Sequence, residues 1–300
     1  MRSVFTITIW LLAEMAMHAQ QEWGYTQYLF NLYDANAAYA GEHDLVSIAL
    51  RYRQQWSGLN GAPVTQVVSA HMPLKNPAWA GGVRLMSESI GGRTQVKARL
   101  SGGHRWHVGT GHLNVAISAG AWRQQLKTSE LTARDQEDPI LEQSRITRTV
   151  PLTDVAVMYV HDRWFAGIES GGATRSPMQW TDGSTARAYV HFVSTAGWMK
   201  KIGARHLLQV SVLGKWAEGN FYQWETNLSF LFFNTAWIGA GYRNQSGISA
   251  FTMIQATPRF RFGYSFDRTT NALKQYQSGS HELFLGVSVG SANKPSIRYF

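Results

Sequence analysis

The chain has no cysteine, which excludes disulfides and thiolate metal ligands without fixing a compartment. Beyond residue 19 it also has no apolar run approaching the ~20 residues that a helix needs to cross a bilayer, so a helical membrane protein is excluded. Phosphate-cradling glycine loops and RNA-binding signatures are missing, and the basic residues are spread rather than clustered, which leaves nucleic-acid binding without support. His104 and His107 lack a flanking acidic pair at ligand spacing, and His191 and His206 fall on separate segments, so no metal site is legible. Ser280-His281-Glu282 has the letters of a hydrolase triad, but adjacent strand residues point to opposite faces and His281 cannot join the other two. No catalytic, cofactor-binding or metal residue emerges, and the expectation is a protein that is not an enzyme.

What the sequence does have is material for strands and turns: 44% hydrophobic residues, 13% aromatic, 12 Trp and 28 Gly in 300 residues. Its formal charge of +9 favours an anionic neighbour such as a lipid surface. Residues 1–19 carry Arg2, an apolar run from Val4 to Ala13 and a small residue at Ala19, the layout of a secretory signal cleaved after Ala19. The run is too short for a membrane anchor and is followed at once by Glu14. The reading divides the chain into a signal peptide at 1–19, a periplasmic N-terminal segment or plug at 20–44, and a β domain at 45–300.

The period that recurs along that domain is two. In "LVSIALRYR", Val46, Ile48, Leu50 and Tyr52 alternate with Ser47, Ala49, Arg51 and Arg53. The same alternation marks "TQVKARLSG", "RFRFGYSFD" and "HELFLGVSV". Roughly 14 such segments can be laid down, near residues 45–55, 65–73, 81–88, 94–105, 112–126, 154–161, 164–170, 185–199, 206–214, 220–232, 235–245, 247–257, 259–267 and 281–289. An even count with alternately short and long connections predicts an all-β fold, an antiparallel transmembrane outer-membrane β-barrel with both termini periplasmic. The short connections include 161–163, 232–234 and 257–259; the long ones are 127–153, 171–184 and 267–279. Trp79, Trp106, Trp164, Trp198 and Trp237 fall near the inferred periplasmic ends, and Trp56, Trp122, Trp180, Trp216 and Trp224 near the outer ends, as two aromatic girdles would require. A secreted soluble β-protein is the competing architecture.

If the apolar faces meet lipid, then Arg51, Arg53, Lys97, Arg99, Arg259, Arg261 and Glu282 project into the lumen, because charges on the lipid face cost a few kcal/mol each near the midplane. A basic, polar interior follows. It admits two readings, an anion-preferring channel or a lumen filled by paired charges and a plug.

Before the first strand comes "QYLFNLYDANAAYAG", Gln27 to Gly41, whose Tyr28, Phe30, Tyr33 and Tyr39 make it too apolar for a free tail. In this topology it lies in the periplasm or tucks into the periplasmic mouth. "FNLYDANAAYAG" at residues 30–41, "YRQQWSGLNGAPVTQVVSAHMPL" at 52–74, "FGYSFD" at 262–267, "SGSHELFLG" at 278–286 and the terminal "RYF" at 298–300 together resemble the PorP/SprF family, outer-membrane proteins of the Bacteroidetes type IX secretion system and of gliding motility. The resemblance runs collinearly from about residue 21 to 300. One departure stands out, since that family usually has Asn-Pro before its Ala-Tyr-Ala-Gly and this chain has Asn36-Ala37-Ala38-Tyr39.

The resemblance implies an outer-membrane barrel without an active site or cofactor. It also implies partners: a secreted cargo or adhesin with a type IX sorting domain held at the cell surface, or the periplasmic ring and peptidoglycan-binding components of the secretion machine. Of these the cargo anchor is preferred, because such barrels outnumber the core machine component. Gln27, Tyr28, Asn31, Tyr39 and Gly41 are the expected partner-contact or plug residues. Trp56, Gly58, Gly61, Ala62 and Pro63 form the first outer hairpin motif, where the glycines permit positive φ and Pro63 fixes an exit, either as a structural corner or as a contact knob. The terminal Phe300 reads either as an insertion signal for the outer-membrane assembly machinery or as rim packing.

Overall fold

The computed structural model describes residues 24–43, 45–128, 145–172, 177–179, 185–187, 190–217 and 221–290. The signal segment, Trp180 and the terminal Phe300 lie outside them. Among the described residues the chain folds into sixteen strands: β1 (Val46–Gln54), β2 (Val64–Pro73), β3 (Trp79–Ile90), β4 (Arg93–Val108), β5 (Gly111–Lys127), β6 (Arg145–His161), β7 (Trp164–Gly171), β8 (Pro177–Gln179), β9 (Thr185–Arg187), β10 (His191–Ile202), β11 (His206–Ala217), β12 (Phe221–Phe232), β13 (Ala236–Arg243), β14 (Gly247–Gln255), β15 (Phe260–Thr269) and β16 (Ser280–Val289). Fourteen form one closed antiparallel barrel, and β8–β9 is a separate hairpin in the connection from β7 to β10. β1 closes on β16 from Val46↔Val289 to Gln54↔His281, so the sheet has no free edge to aggregate.

The period-two pattern dictates which way each strand faces. On β1, Ser47, Ala49, Arg51 and Arg53 are buried while Leu50 and Tyr52 are about two-fifths exposed, the inversion of a soluble protein that only a lipid solvent makes favourable. Trp79, Trp106, Trp164 and Trp198 point outward at the short-turn end of the barrel; Trp216, Tyr222, Trp224 and Tyr242 do so at the end that carries the long connections. Two expected girdle residues turn inward. Trp237 shares its face with Arg243 and packs in an interior apolar cluster, and Trp122 donates its indole N–H to Gln95 Oε1 at 3.0 Å. Counting residues from the strand end gave their height but not their parity.

Two boundaries differ from the sequence reading. The segment expected at 185–199 splits, with Thr185–Arg187 in the small hairpin and the barrel strand starting at His191. β6 begins at Arg145 rather than 154, because it stays in register with the full length of β5, from Lys127↔Arg145 onward. Pro151 hides this in the sequence. It is tolerated because the β6–β7 ladder runs only from Val155 to His161, so the missing N–H at Pro151 falls outside it.

Barrel size sets the next problem. Eight strands enclose just enough room for their own side chains, whereas 16–18 leave an aqueous channel, so the inner wall of a fourteen-stranded barrel cannot fill its own lumen. Here residues 24–43 fill it, as three 3-10 turns at Tyr28–Phe30, Leu32–Asp34 and Ala37–Tyr39. Tyr28, Tyr33 and Tyr39 are almost wholly buried, as are Gln27 and Asn36.

Candidate functional site

A segment of short turns leaves many backbone groups without partners in its own chain, and each must find one in the wall. The lumen-facing residues supply them from every side. Tyr28 Oη shares a 3.0 Å hydrogen bond with Ser211 of β11 and accepts one from Asn227 of β12. Asn31 donates to Ser69 of β2, Tyr33 meets Ser101 of β4, and Asn36 donates to the Val157 carbonyl of β6. Contacts on facing walls put the segment inside the barrel, not beneath it.

Its direction is equally defined. Thr26 touches Arg53 near the end of β1 and Asp267 near the end of β15, and Gly24 lies against Arg243, the last residue of β13. These strand ends all carry the connections that include the long ones. At the other end of the segment, the Gly41 carbonyl accepts from Arg105 at 2.8 Å, and Glu42 accepts from Asn114 of β5 beside the β4–β5 turn. The segment therefore descends the lumen from the long-loop end to the short-turn end, then reverses into β1. Of the positions expected from sequence, in the periplasm, at the periplasmic mouth or as a plug, residues 24–43 take neither of the first two but run along the lumen. Gly41 makes the reversal: its φ is +75°, and a Cβ would lie 2.6 Å from the Ala80 methyl.

Ion pairs hold the upper half. Glu282 is fully buried and takes the Thr26 and Gln27 backbone N–H groups, each at 3.1 Å, one on each carboxylate oxygen. Arg53 Nη1 reaches the same carboxylate at 3.0 Å, and Arg51 Nε lies 3.2 Å from it. Arg51 also pairs with Asp34 at 2.8 Å and stacks its guanidinium 4.5 Å from the Tyr25 ring. Arg53 pairs with Asp267 at 2.5 Å; Arg243 bridges Asp267 and Glu225. Lower down, Arg84 donates to the Tyr33 and Asp34 carbonyls and pairs with Glu169 at 2.9 Å.

Of the charges expected in the lumen, Arg51, Arg53 and Glu282 join this network. Lys97 sits over the Trp122 ring at 4.7 Å, Arg99 pairs with Asp154, and Arg261 donates to the Phe30 carbonyl. Arg259 does not face the interior. It is exposed in the turn before β15, where strand parity no longer applies. Nor is the interior uniformly polar: Phe30 packs edge-on to Phe251 at 5.9 Å and against Phe284, in a cluster with Met199, Leu207, Leu231, Trp237 and Met253. Sequence reasoning missed Thr26, Asp34, Arg84, Glu169, Glu225, Arg243 and Asp267. The wall residues among them carry the inward parity of their strands, a signal that was available; Thr26 and Asp34 had none.

The alanine that replaces the family's proline has a role. Ala37 N–H donates to Glu169 Oε2 at 2.6 Å, and Asn36 Oδ1 caps the same turn by accepting from Ala38. A proline at 37 has no N–H to give. Ala37→Pro is expected to lower stability by about 1–2 kcal/mol, the loss of a bond to a charged acceptor less the entropic gain of proline. Urea unfolding of the detergent-solubilised barrel measures this, and an unchanged midpoint would show that the bond contributes nothing.

At the long-loop end, Trp56 holds φ +47°, costly for a bulky residue, and its N–H donates to Ser280 Oγ. Ser57 N–H donates to the Gly279 carbonyl at 2.7 Å, Ser278 N–H returns a bond to Ser57, and Gly91 N–H donates to Gly61. Gly58 and Gly61 have φ of +93° and +71°, and the Pro63 carbonyl accepts from Gln55. The first hairpin is thus tied across the β1–β16 seam to the β15–β16 connection and, on its other side, to the β3–β4 turn, with Ala62 N–H closing its own turn onto Leu59. A cleft opens beside it, lined by Arg53, Gln55, Trp56, Arg243, Asp267 and Ser280 among others.

Ser280 and Glu282 face inward, while His281 faces outward and meets Tyr264 Oη at 2.7 Å. Among the described residues no group of three or more His, Cys, Asp or Glu is placed to hold a metal ion.

Comparison with known proteins adds three findings. The family model described as type IX secretion system membrane protein PorP/SprF matches residues 17–287. The Acinetobacter baumannii outer membrane protein Omp33 superposes with a TM-score of 0.50 at 10% identity, over 82% of this chain and 98% of its own. The CymD monoaromatic hydrocarbon channel gives 0.52 at 10% identity, over 91% and 94%. At such identity these barrels share the fold alone. No curated protein matches.

Proposed function

The chain belongs to the PorP/SprF family of type IX secretion system membrane proteins, and from that premise we propose that this outer-membrane barrel is a non-enzymatic, non-conducting anchor that binds a secreted cargo or adhesin at the cell surface. One observation carries the reading. The lumen is occupied along its length by residues 24–43, held by the Asp34–Arg51 and Glu42–Arg105 ion pairs and by hydrogen bonds to several strands. Such filling supports a barrel whose working surfaces are its mouths and not its lumen. Bacterial barrels have short periplasmic turns and longer outer connections, so the end with the long connections, bearing the hairpin of Trp56 to Pro63 and the cleft beside it, is the cell-surface face.

The test is an affinity pull-down of the tagged barrel from mild-detergent outer membranes, with mass spectrometry of what is retained. A large secreted protein at near-stoichiometric yield is the expected result. Periplasmic ring or peptidoglycan-binding proteins in its place would make the barrel a component of the secretion machine, and the barrel alone across several detergents would overturn the anchor.

A further inference from the structure

We infer that the mature N terminus of this barrel opens at the cell-surface mouth, carried there through the lumen by residues 24–43. The inference rests on the orientation given above, in which the long-connection end faces outward.

Three observations support it. The first is the direction of travel: Glu42 sits beside the short turns, whereas Thr26 and Gly24 sit among Arg53, Asp267 and Arg243 at the opposite ends of their strands. The second is that this upper end is fixed. Thr26 donates its N–H to Glu282 and its hydroxyl to Asp267 at 2.8 Å, and accepts from Arg53 and Arg243, so the start of the segment has one position and not a choice of two. The third is reach. With cleavage after Ala19, only four residues precede Gly24, and four extended residues span about 14 Å. The apolar band alone is about 25 Å tall, and the lumen beneath Gly24 is already filled by the residues that follow it. The mature terminus cannot return to the periplasm.

A barrel built this way presents to the outside its outer connections and, inside the mouth, the start of the lumenal segment at Gly24.

The absence of native cysteine makes the test direct. Single cysteines at Glu22→Cys, at Leu59→Cys in the first outer hairpin and at Ala256→Cys in the β14–β15 turn are exposed on intact cells to a membrane-impermeant maleimide. Leu59→Cys is expected to label and Ala256→Cys to label only after lysis. Glu22→Cys is expected to label on intact cells at a rate comparable to Leu59→Cys. Protection of Glu22→Cys until lysis or denaturation, with both controls behaving as stated, would overturn the inference while leaving the proposed orientation intact. Reversed controls would overturn the orientation, and the inference with it.

Discussion

Glu282→Gln is expected to cost about 3–5 kcal/mol, because it breaks a buried charge network by one partner. The reason is geometric. Each carboxylate oxygen of Glu282 faces donors: one takes Gln27 N–H with Arg51 beside it, the other takes Thr26 N–H and Arg53. Glutamine fits the same space but has only one oxygen, so whichever way its amide turns, an NH2 group confronts two donors. Arg51 keeps Asp34 and Arg53 keeps Asp267, which limits the loss to the Glu282 share. Urea or thermal unfolding of the solubilised barrel reads the effect, and midpoints matching the parent would mean that water and not Glu282 satisfies the segment.

Deleting residues 24–40 should convert a silent barrel into a channel. In planar bilayers the intact protein is expected to show no steady conductance, and the shortened one discrete steps with a preference for anions. The preference follows from the wall the segment leaves behind: Arg51, Arg53, Arg84, Arg243 and Arg261 all touch it, against the carboxylates Glu169, Asp267 and Glu282. Water entering the emptied lumen solvates these charges, so their loss of partners is less damaging than inside a dry core. If the shortened chain does not assemble, Glu282→Gln provides the second route, as a loosened segment should give brief, infrequent openings. Steady conductance by the intact barrel would refute the closed lumen.

The wall was legible in the sequence residue by residue, its contents only as alternatives, a periplasmic segment or a plug at 20–44. Period-two alternation in segments such as Val46–Gln54 is a local property, so strand number and facing could be read residue by residue. Arg51, Arg53 and Glu282 were identifiable as inward charges for the same reason. The parity rule failed where a strand had ended, at Arg259, and where height was read without parity, at Trp122 and Trp237. The path of residues 24–43 has no local signature at all. Its turns are specified by partners as distant as Glu282 and Asp267, more than two hundred residues away, and nothing in "QYLFNLYDANAAYAG" indicates that it is surrounded on all sides. Aromatic content showed that the segment docks; only the closed sheet shows within what.

The position of Glu282 on β16 has one more consequence, in time rather than in space. Among the described residues, the segment before β1 is held by the strand made latest, β16, which also forms the seam with β1. Contacts of such sequence separation form late, after the loop entropy between them has been overcome. Circularisation and internal filling are therefore one cooperative event: a polypeptide that stops short of β16 lacks both the edge that seals the cylinder and the acid that seats its own beginning. Completeness of synthesis is tested by the architecture itself, and a truncated product is left with open edges and an unseated terminus, the features by which proteolysis distinguishes unfinished chains.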